Sequence, residues 1–296
     1  MTTTTDPAGP GTEPGPSGPS PLDAGATPVA APRGRRRAPV GTALSLGTAV
    51  LYLSLIVLIP LAAVVWRSTE GGWDTFWRAV QTPDAWAALK LTVGASLIVA
   101  LINVVMGTVI AWVLERDHFF GKGIVDTLID LPFALPTIVA GLVLLALYGT
   151  NSPLGINIAY TRLSVGVALL FVTLPFVVRT VQPVLRELDK DMEQAAYSLG
   201  ASPFTTFRRI ILPNLAPAMI SGAGLAFTRA IAEYGSTNLL TGSIPFETQV
   251  SAVNIFGRIE SDDTTSAAAI STVLLIVAFI VLIALDLFQR WSARRG

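Results

Sequence analysis

The 296-residue sequence has no cysteine and one histidine, His118. The first absence excludes disulfide scaffolds, thiolate zinc centres and thiol nucleophiles, and the second excludes a multi-histidine metal site. Charge is also scarce: Asp, Glu, Lys and Arg make up 14% of the chain, against about 25% in a soluble domain. Twenty basic residues offset twenty acidic ones, so no basic field is available to attract nucleic acid. Apolar residues fill 52% of the sequence, which points to lipid as the solvent. An intramembrane enzyme has little support, because neither a metal-ligand cluster nor an assembled catalytic pair is present.

Residues 1–40 have a different composition. They hold nine of the twenty prolines and six glycines and no aromatic residue, too little apolar area to offset the entropy of ordering. The sequence predicts a disordered Pro/Gly-rich tail. Its Arg33, Arg35, Arg36 and Arg37 precede a long apolar run, where they read as a topological anchor rather than the start of a cleaved signal.

A bilayer core of about 30 Å needs roughly 20 apolar helical residues. Residues 43–66, 91–114 and 264–285 are free of charge over that length. Residues 131–149, 163–178 and 210–228 reach it if the flanking charges face protein or water. The expectation is therefore an all-α integral membrane protein of six spans, with a first helix at 41–66 and a core over 88–291. Thirteen basic residues fall in the segments on the side of the amino terminus and four, Arg67, Arg78, Arg162 and Arg258, in those opposite. That bias puts both termini in the cytoplasm. Pro60, Pro132, Pro136, Pro175, Pro183 and Pro217 lie in spans, as kinks around a pathway or as ordinary membrane-helix composition.

The segment 186–213, RELDKDMEQAAYSLGASPFTTFRRIILP, is too patterned for a linker. It reads as two short helices. Met192, Ala195, Ala196 and Leu199 share helical spacing, and Gly200 is placed to close the first helix in a left-handed conformation. Ser202 caps the second and Pro203 takes its first position. Phe204, Phe207 and Ile211 then share one face, and Pro213 closes the element. About ten residues rise only about 15 Å, so each helix must lie on the bilayer or dock on another protein. The small Ala195, Ala196 and Gly200 favour docking over an amphipathic hairpin on the bundle's own end.

These residues carry a resemblance. Ala195, Ala196, Gly200, Ile210, Leu212 and Pro213 match the EAA motif of binding-protein-dependent ABC transporter permeases of the type I class at its spacing, with Gln194 at the family's Glu and Glu193 just before it. The resemblance implies a coupling helix that inserts into a cytoplasmic ATPase subunit, with Glu193, Gln194, Ala195, Ala196, Gly200, Phe204, Phe207, Ile210, Leu212 and Pro213 as the coupling set. Residues 130–137, 175–185 and 227–235 look like the sulfate and thiosulfate permeases, the CysT type. Molybdate permeases share the Arg229, Glu233 and Gly235 pattern, so a molybdate or tungstate permease is the alternative, and a stand-alone secondary transporter a further one. The implied partners are an ATPase dimer, a second homologous permease and an extracytoplasmic sulfate-binding protein, in the plasma membrane of a prokaryote. No Walker pattern is present, since Gly121-Lys122 lacks the glycine five positions earlier and Gly123 replaces the Ser or Thr. The chain is thus expected to bind no cofactor, with ATP and magnesium on the partner.

Charges within spans admit two readings. Arg229 and Glu233, four apart, either pair across a helical turn or flank the path of a tetrahedral oxyanion. Arg179 allows the same choice, and Tyr234 completes the pathway candidates. Asp126, Asp130 and Asp286 are expected to pair with Arg or backbone donors. The segment 236–266, with Gly242-Ser243-Ile244-Pro245, reads as a solvated outer loop or as part of a gate or dock.

Overall fold

A computed structural model describes residues 40–293, with side chains over 44–290; the proline-rich tail lies outside the described residues. Every regular element among them is helical. Contacts divide the chain after Tyr52, and the bundle described here belongs to the unit from Leu53 onward. In chain order the helices are α1 (Val40–Leu53), α2 (Ile59–Ser68), α3 (Gly72–Gln81), α4 (Pro83–Arg116), α5 (Lys122–Ile129), α6 (Leu131–Ala134) and α7 (Thr137–Tyr148). There follow α8 (Arg162–Glu187), α9 (Lys190–Ser198), α10 (Pro203–Thr206), α11 (Leu212–Ile231), α12 (Gly235–Thr241), α13 (Ser251–Glu260) and α14 (Thr264–Ala293).

Among the described residues, five stretches are long and apolar enough to cross a bilayer: Leu44–Ser68, Pro83–Arg116, Arg162–Glu187, Pro203–Ile231 and Thr264–Arg290. The sixth, expected as one span over 131–149 with its prolines as kinks, is broken. Lys122–Ala134 and Thr137–Tyr148 meet at 118°, because Leu135 before Pro136 adopts an extended conformation of the kind a following proline imposes. Counted together, the bent pair gives a sixth candidate span.

Hydrophobic burial does not drive helices together in lipid, so close backbone approach does much of the work. Helices α4, α8 and α11 form the core, with Leu114, Val177, Val181, Leu215 and Phe227 buried between them. Two glycines set the crossing. A Cβ on Gly107 would lie 2.9 Å from Val177 Cβ, and one on Gly222 would lie 3.0 Å from Val177 Cα and collide with the Thr180 hydroxyl. Asn103 donates to Thr173 Oγ1 at 2.7 Å across the same interface, and Thr173 donates on to the Leu169 carbonyl.

Three sequence expectations change here. Pro213 does not close the second hairpin helix; α10, a π turn over Phe207–Ile211 and α11 form one span. A proline clashes with the carbonyl four residues before it and cannot donate, and the wider turn accommodates it: Leu212 N–H bonds the Phe207 carbonyl five residues back, and Asn214 Nδ2 donates to the Ile210 carbonyl at 2.7 Å. The same device precedes Pro60, where a π turn over Ser54–Leu58 lets Ile59 N–H reach Ser54 O. The expected apolar face is also divided, with Phe207 and Ile211 inward and Phe204 71% exposed. Finally, 236–266 is no simple loop. It contains α13 and most of α12, whose Ser236, Thr237 and Leu240 are buried. Gly141 on α7 allows that approach, since a Cβ there would lie 2.8 Å from Ser236 Cα.

At the end opposite the hairpin, Arg258 ties three helix ends together. It donates to Thr82 Oγ1 at 2.9 Å and Asp84 Oδ2 at 3.0 Å, and pairs with Asp263 at 3.3 Å. Burial opposes the charged form of Asp263, but the Ser266 side chain and N–H together with Arg258 outweigh it and hold that carboxyl below its ordinary range.

Candidate functional site

The hairpin is built from local signals. Asp189 caps α9 by accepting from Asp191 N–H at 2.9 Å. At the other end Gly200 has φ +79°, and its N–H bonds Tyr197 O while Ala201 N–H bonds Ala196 O, the paired closure of a Schellman turn. Ser202 accepts from Thr205 N–H and opens the next helix. Around this scaffold Met192, Tyr197, Leu199 and Phe204 stand exposed, Leu199 by 88%. Large apolar side chains clustered on an exposed end of the bundle mark an interaction surface. Gln194 and Ala195 lie on the exposed side, and nothing stands within 4 Å of a Cβ built on Gly200.

The hairpin is also clamped to the bundle. Glu193, beside the motif position held by Gln194, turns inward to Arg116 at the end of α4, 2.5 Å away, with side chains only 13% and 16% exposed. The same guanidinium lies 5.3 Å from the Trp112 ring, and Trp112 meets Phe207 edge to face at 5.7 Å. Thus α9 and the π turn share one anchoring point on α4. Of the coupling candidates, Glu193 and Phe207 face the bundle; Gln194, Ala195, Gly200, Phe204 and Pro213 are exposed; Ala196, Ile210 and Leu212 are half-buried. Arg116 and Trp112 were not singled out in the sequence, although their spacing of four places them on one helix face.

Beside the clamp runs a chain of charges. Arg179 bonds both oxygens of Asp130 at 2.7 and 2.6 Å, Asp126 Oδ1 at 2.6 Å, the Asp126 carbonyl at 2.7 Å and Gln182 Oε1 at 2.5 Å. Gln182 Nε2 donates to Asp126 and to Glu115 at 3.3 Å, and Glu115 pairs with Arg186 at 2.8 Å. A guanidinium has five N–H donors, and all five of Arg179 are engaged. In this conformation it has no donor left for an anion; it fastens α5 and α6 to α8. Asp126 and Asp130 pair with Arg as the sequence implied, and Asp286 pairs with Arg290 at 2.8 Å. Glu115, Gln182 and Arg186 were missed, although Arg179, Gln182 and Arg186 follow the i, i+3, i+7 spacing of one face.

Arg229 and Glu233 are paired at 2.6 Å, with the Glu233 side chain fully buried. The other Glu233 oxygen accepts from Ser236 N–H and Oγ, both at 2.9 Å, so it supplies a partner to the first turn of α12. Tyr234 stacks at a tilt on Phe256, 5.2 Å between centroids. Arg179 lies about two helical turns from the hairpin end of α8 and Arg229 near the far end of α11, so the structure does not gather the four pathway candidates into one site. Of the two arginines, only Arg229 keeps donors without a protein partner among the described residues.

Residues 103–295 match the family model described as "Binding-protein-dependent transport system inner membrane component". The chain is 46% identical over 252 residues to the sulfate transport system permease protein CysT of Synechocystis sp., covering 83% of this chain and 88% of the relative. It is 40% identical over 267 residues to the CysT protein of Escherichia coli, covering 88% and 96%. Among solved structures, a bacterial ABC transporter involved in import of the acidic polysaccharide alginate aligns with a TM-score of 0.71 at 16% identity, over 85% of this chain and 95% of that one. The inward-facing MetNI methionine ABC transporter gives 0.53 at 17% identity, over 69% and 94%; likeness at that identity speaks for the fold. The chain belongs to the family of binding-protein-dependent transport system inner membrane components.

Proposed function

We propose that this chain is the permease subunit of an ATP-driven importer of sulfate and thiosulfate, with both termini in the cytoplasm. The relatives named as sulfate permeases support the substrate class. The observation that carries the mechanism is the exposed apolar hairpin held to α4 by Arg116 and Glu193: a partner that grips it pulls on the core helix directly. That partner is a cytoplasmic ATPase dimer, which holds ATP and magnesium, while this chain binds neither and is not itself an enzyme. A second homologous permease completes the pathway, and an extracytoplasmic binding protein delivers the anion. Closure of the ATPase moves 195–200, and the proline-interrupted helices reorient.

The test is ATP-dependent uptake of labelled sulfate by the reconstituted transporter. Thiosulfate is expected to compete, and molybdate to compete poorly. Ala195→Trp, a bulky group on the exposed side of the hairpin, is expected to uncouple ATP hydrolysis from uptake. Preferential competition by molybdate would transfer the assignment to that anion, and wild-type uptake by Ala195→Trp would remove the hairpin from the coupling route.

A further inference from the structure

Far from the hairpin, near the start of α4, two apolar grooves run side by side. The first lies between α4 and α8, holds about 400 Å³, and is lined by Gly94, Ala95, Ile98, Ile102, Gly166 and Leu170 among others. The second lies between α4 and α14, holds about 300 Å³, and includes Val93, Val273 and Val277. Lys90 and Gly94 belong to both. They lie on the ridge of α4 that separates the grooves, one turn apart, and Gly94 cuts a saddle in it: nothing stands within 4 Å of a Cβ built there. Among the described residues, the charged side chains lining the two grooves are Lys90 and Arg162, and both are cations.

We infer that this paired groove binds one anionic diacyl phospholipid, with its phosphate at Lys90 and Arg162 and its two chains straddling α4 across Gly94. Depth fits this occupant. From Lys90 to Ile102 the helix rises about 18 Å at 1.5 Å per residue, close to the half-thickness of a hydrocarbon core of about 30 Å. Level fits too: Trp73, Trp77 and Trp86 are exposed around the same end, where an aromatic belt marks the bilayer boundary, and Lys90 Nζ lies 5.5 Å from the Trp86 ring. Arg162 is steadied by the Phe246 and Glu247 carbonyls at 3.3 Å. A free oxyanion would use the cations but not the walls. A snorkelling lysine needs neither the second cation nor the gap at Gly94.

The complete transporter, reconstituted in nanodiscs of mixed phosphatidylglycerol and phosphatidylcholine and released for native mass spectrometry, tests this. Wild type should retain phosphatidylglycerol in preference. Lys90→Met should lower its retention about fivefold, the weight of one cation facing anionic lipid, while Lys90→Arg keeps it. Gly94→Leu, a good helix former placed in open space, should displace the lipid whatever its headgroup, with ATPase activity reporting that the complex is assembled. Retention unchanged in Lys90→Met or Gly94→Leu overturns the inference. So does displacement of the lipid by sulfate, or a photocrosslinker at position 94 that captures a neighbouring subunit instead of lipid.

Discussion

Replacing Arg116 with Met removes the cation that holds Glu193 while keeping much of the side-chain volume. Exposed ion pairs contribute about 0.2–1 kcal/mol, whereas severing one partner of a fully buried pair costs about 3–5 kcal/mol. With both side chains mostly buried, and the contact with Trp112 lost as well, the cost falls between these limits. About 2 kcal/mol corresponds to a shift of about 30-fold in hairpin docking. ATP hydrolysis should continue while sulfate transported per ATP falls, because the gripped hairpin no longer drags α4. The chain's lack of cysteine gives a clean second readout: in a Tyr197→Cys background, label mobility at the hairpin should rise in Arg116→Met. The double variant Arg116→Met, Glu193→Met should recover part of the loss, since no buried carboxylate is left unpaired. A double-mutant cycle with coupling below about 0.5 kcal/mol, or an unchanged transport stoichiometry, would refute the clamp.

Gly222→Val should destabilise the α8–α11 crossing by about 1–3 kcal/mol, because its Cβ meets Val177 and Thr180; thermal unfolding of the purified complex measures it. Arg179→Gln should free α5 and α6 from α8, so hydrogen exchange over 122–134 should accelerate while exchange in α14 stays as it was. Asp263 has a folded-state pKa below its ordinary value. Its contribution is therefore present above the unfolded value of about 3.9 and lost as pH falls through the lower folded value. A melting profile between pH 6 and pH 3 should show an acid-side loss for wild type that is smaller in Asp263→Asn.

What was legible in the sequence was local. Runs free of charge located the spans because lipid leaves the backbone few alternatives to a helix. Gly200, Ser202 and Pro203 marked the hairpin because a left-handed closing residue, a side-chain cap and a fixed φ at the first helical position each favour few residue types. The spacing of Arg229 and Glu233 allowed the pair that forms, one of the two readings it admitted. The break at Pro136 was read as a tolerated kink, since a proline inside an apolar run carries no sign of how far the chain turns. The π turn before Pro213 depends on a compensation spread over Phe207, Leu212 and Asn214. The polar run of α12 looked like loop, although its Gly235 and Ser236 are small in order to pack against α7. The clamp joins residues 77 positions apart, a distance over which one sequence has no periodicity to reveal it.

The most direct measurement is accumulation of labelled sulfate by proteoliposomes carrying the permease with and without its ATPase, each under a proton gradient and with ATP. Accumulation is expected only when the ATPase and ATP are both present, and it should disappear when the hairpin is blocked through a cysteine placed at Leu199. Accumulation driven by the proton gradient alone, with no ATPase in the vesicle, would contradict the proposal that this chain is moved through its hairpin by a nucleotide-hydrolysing partner.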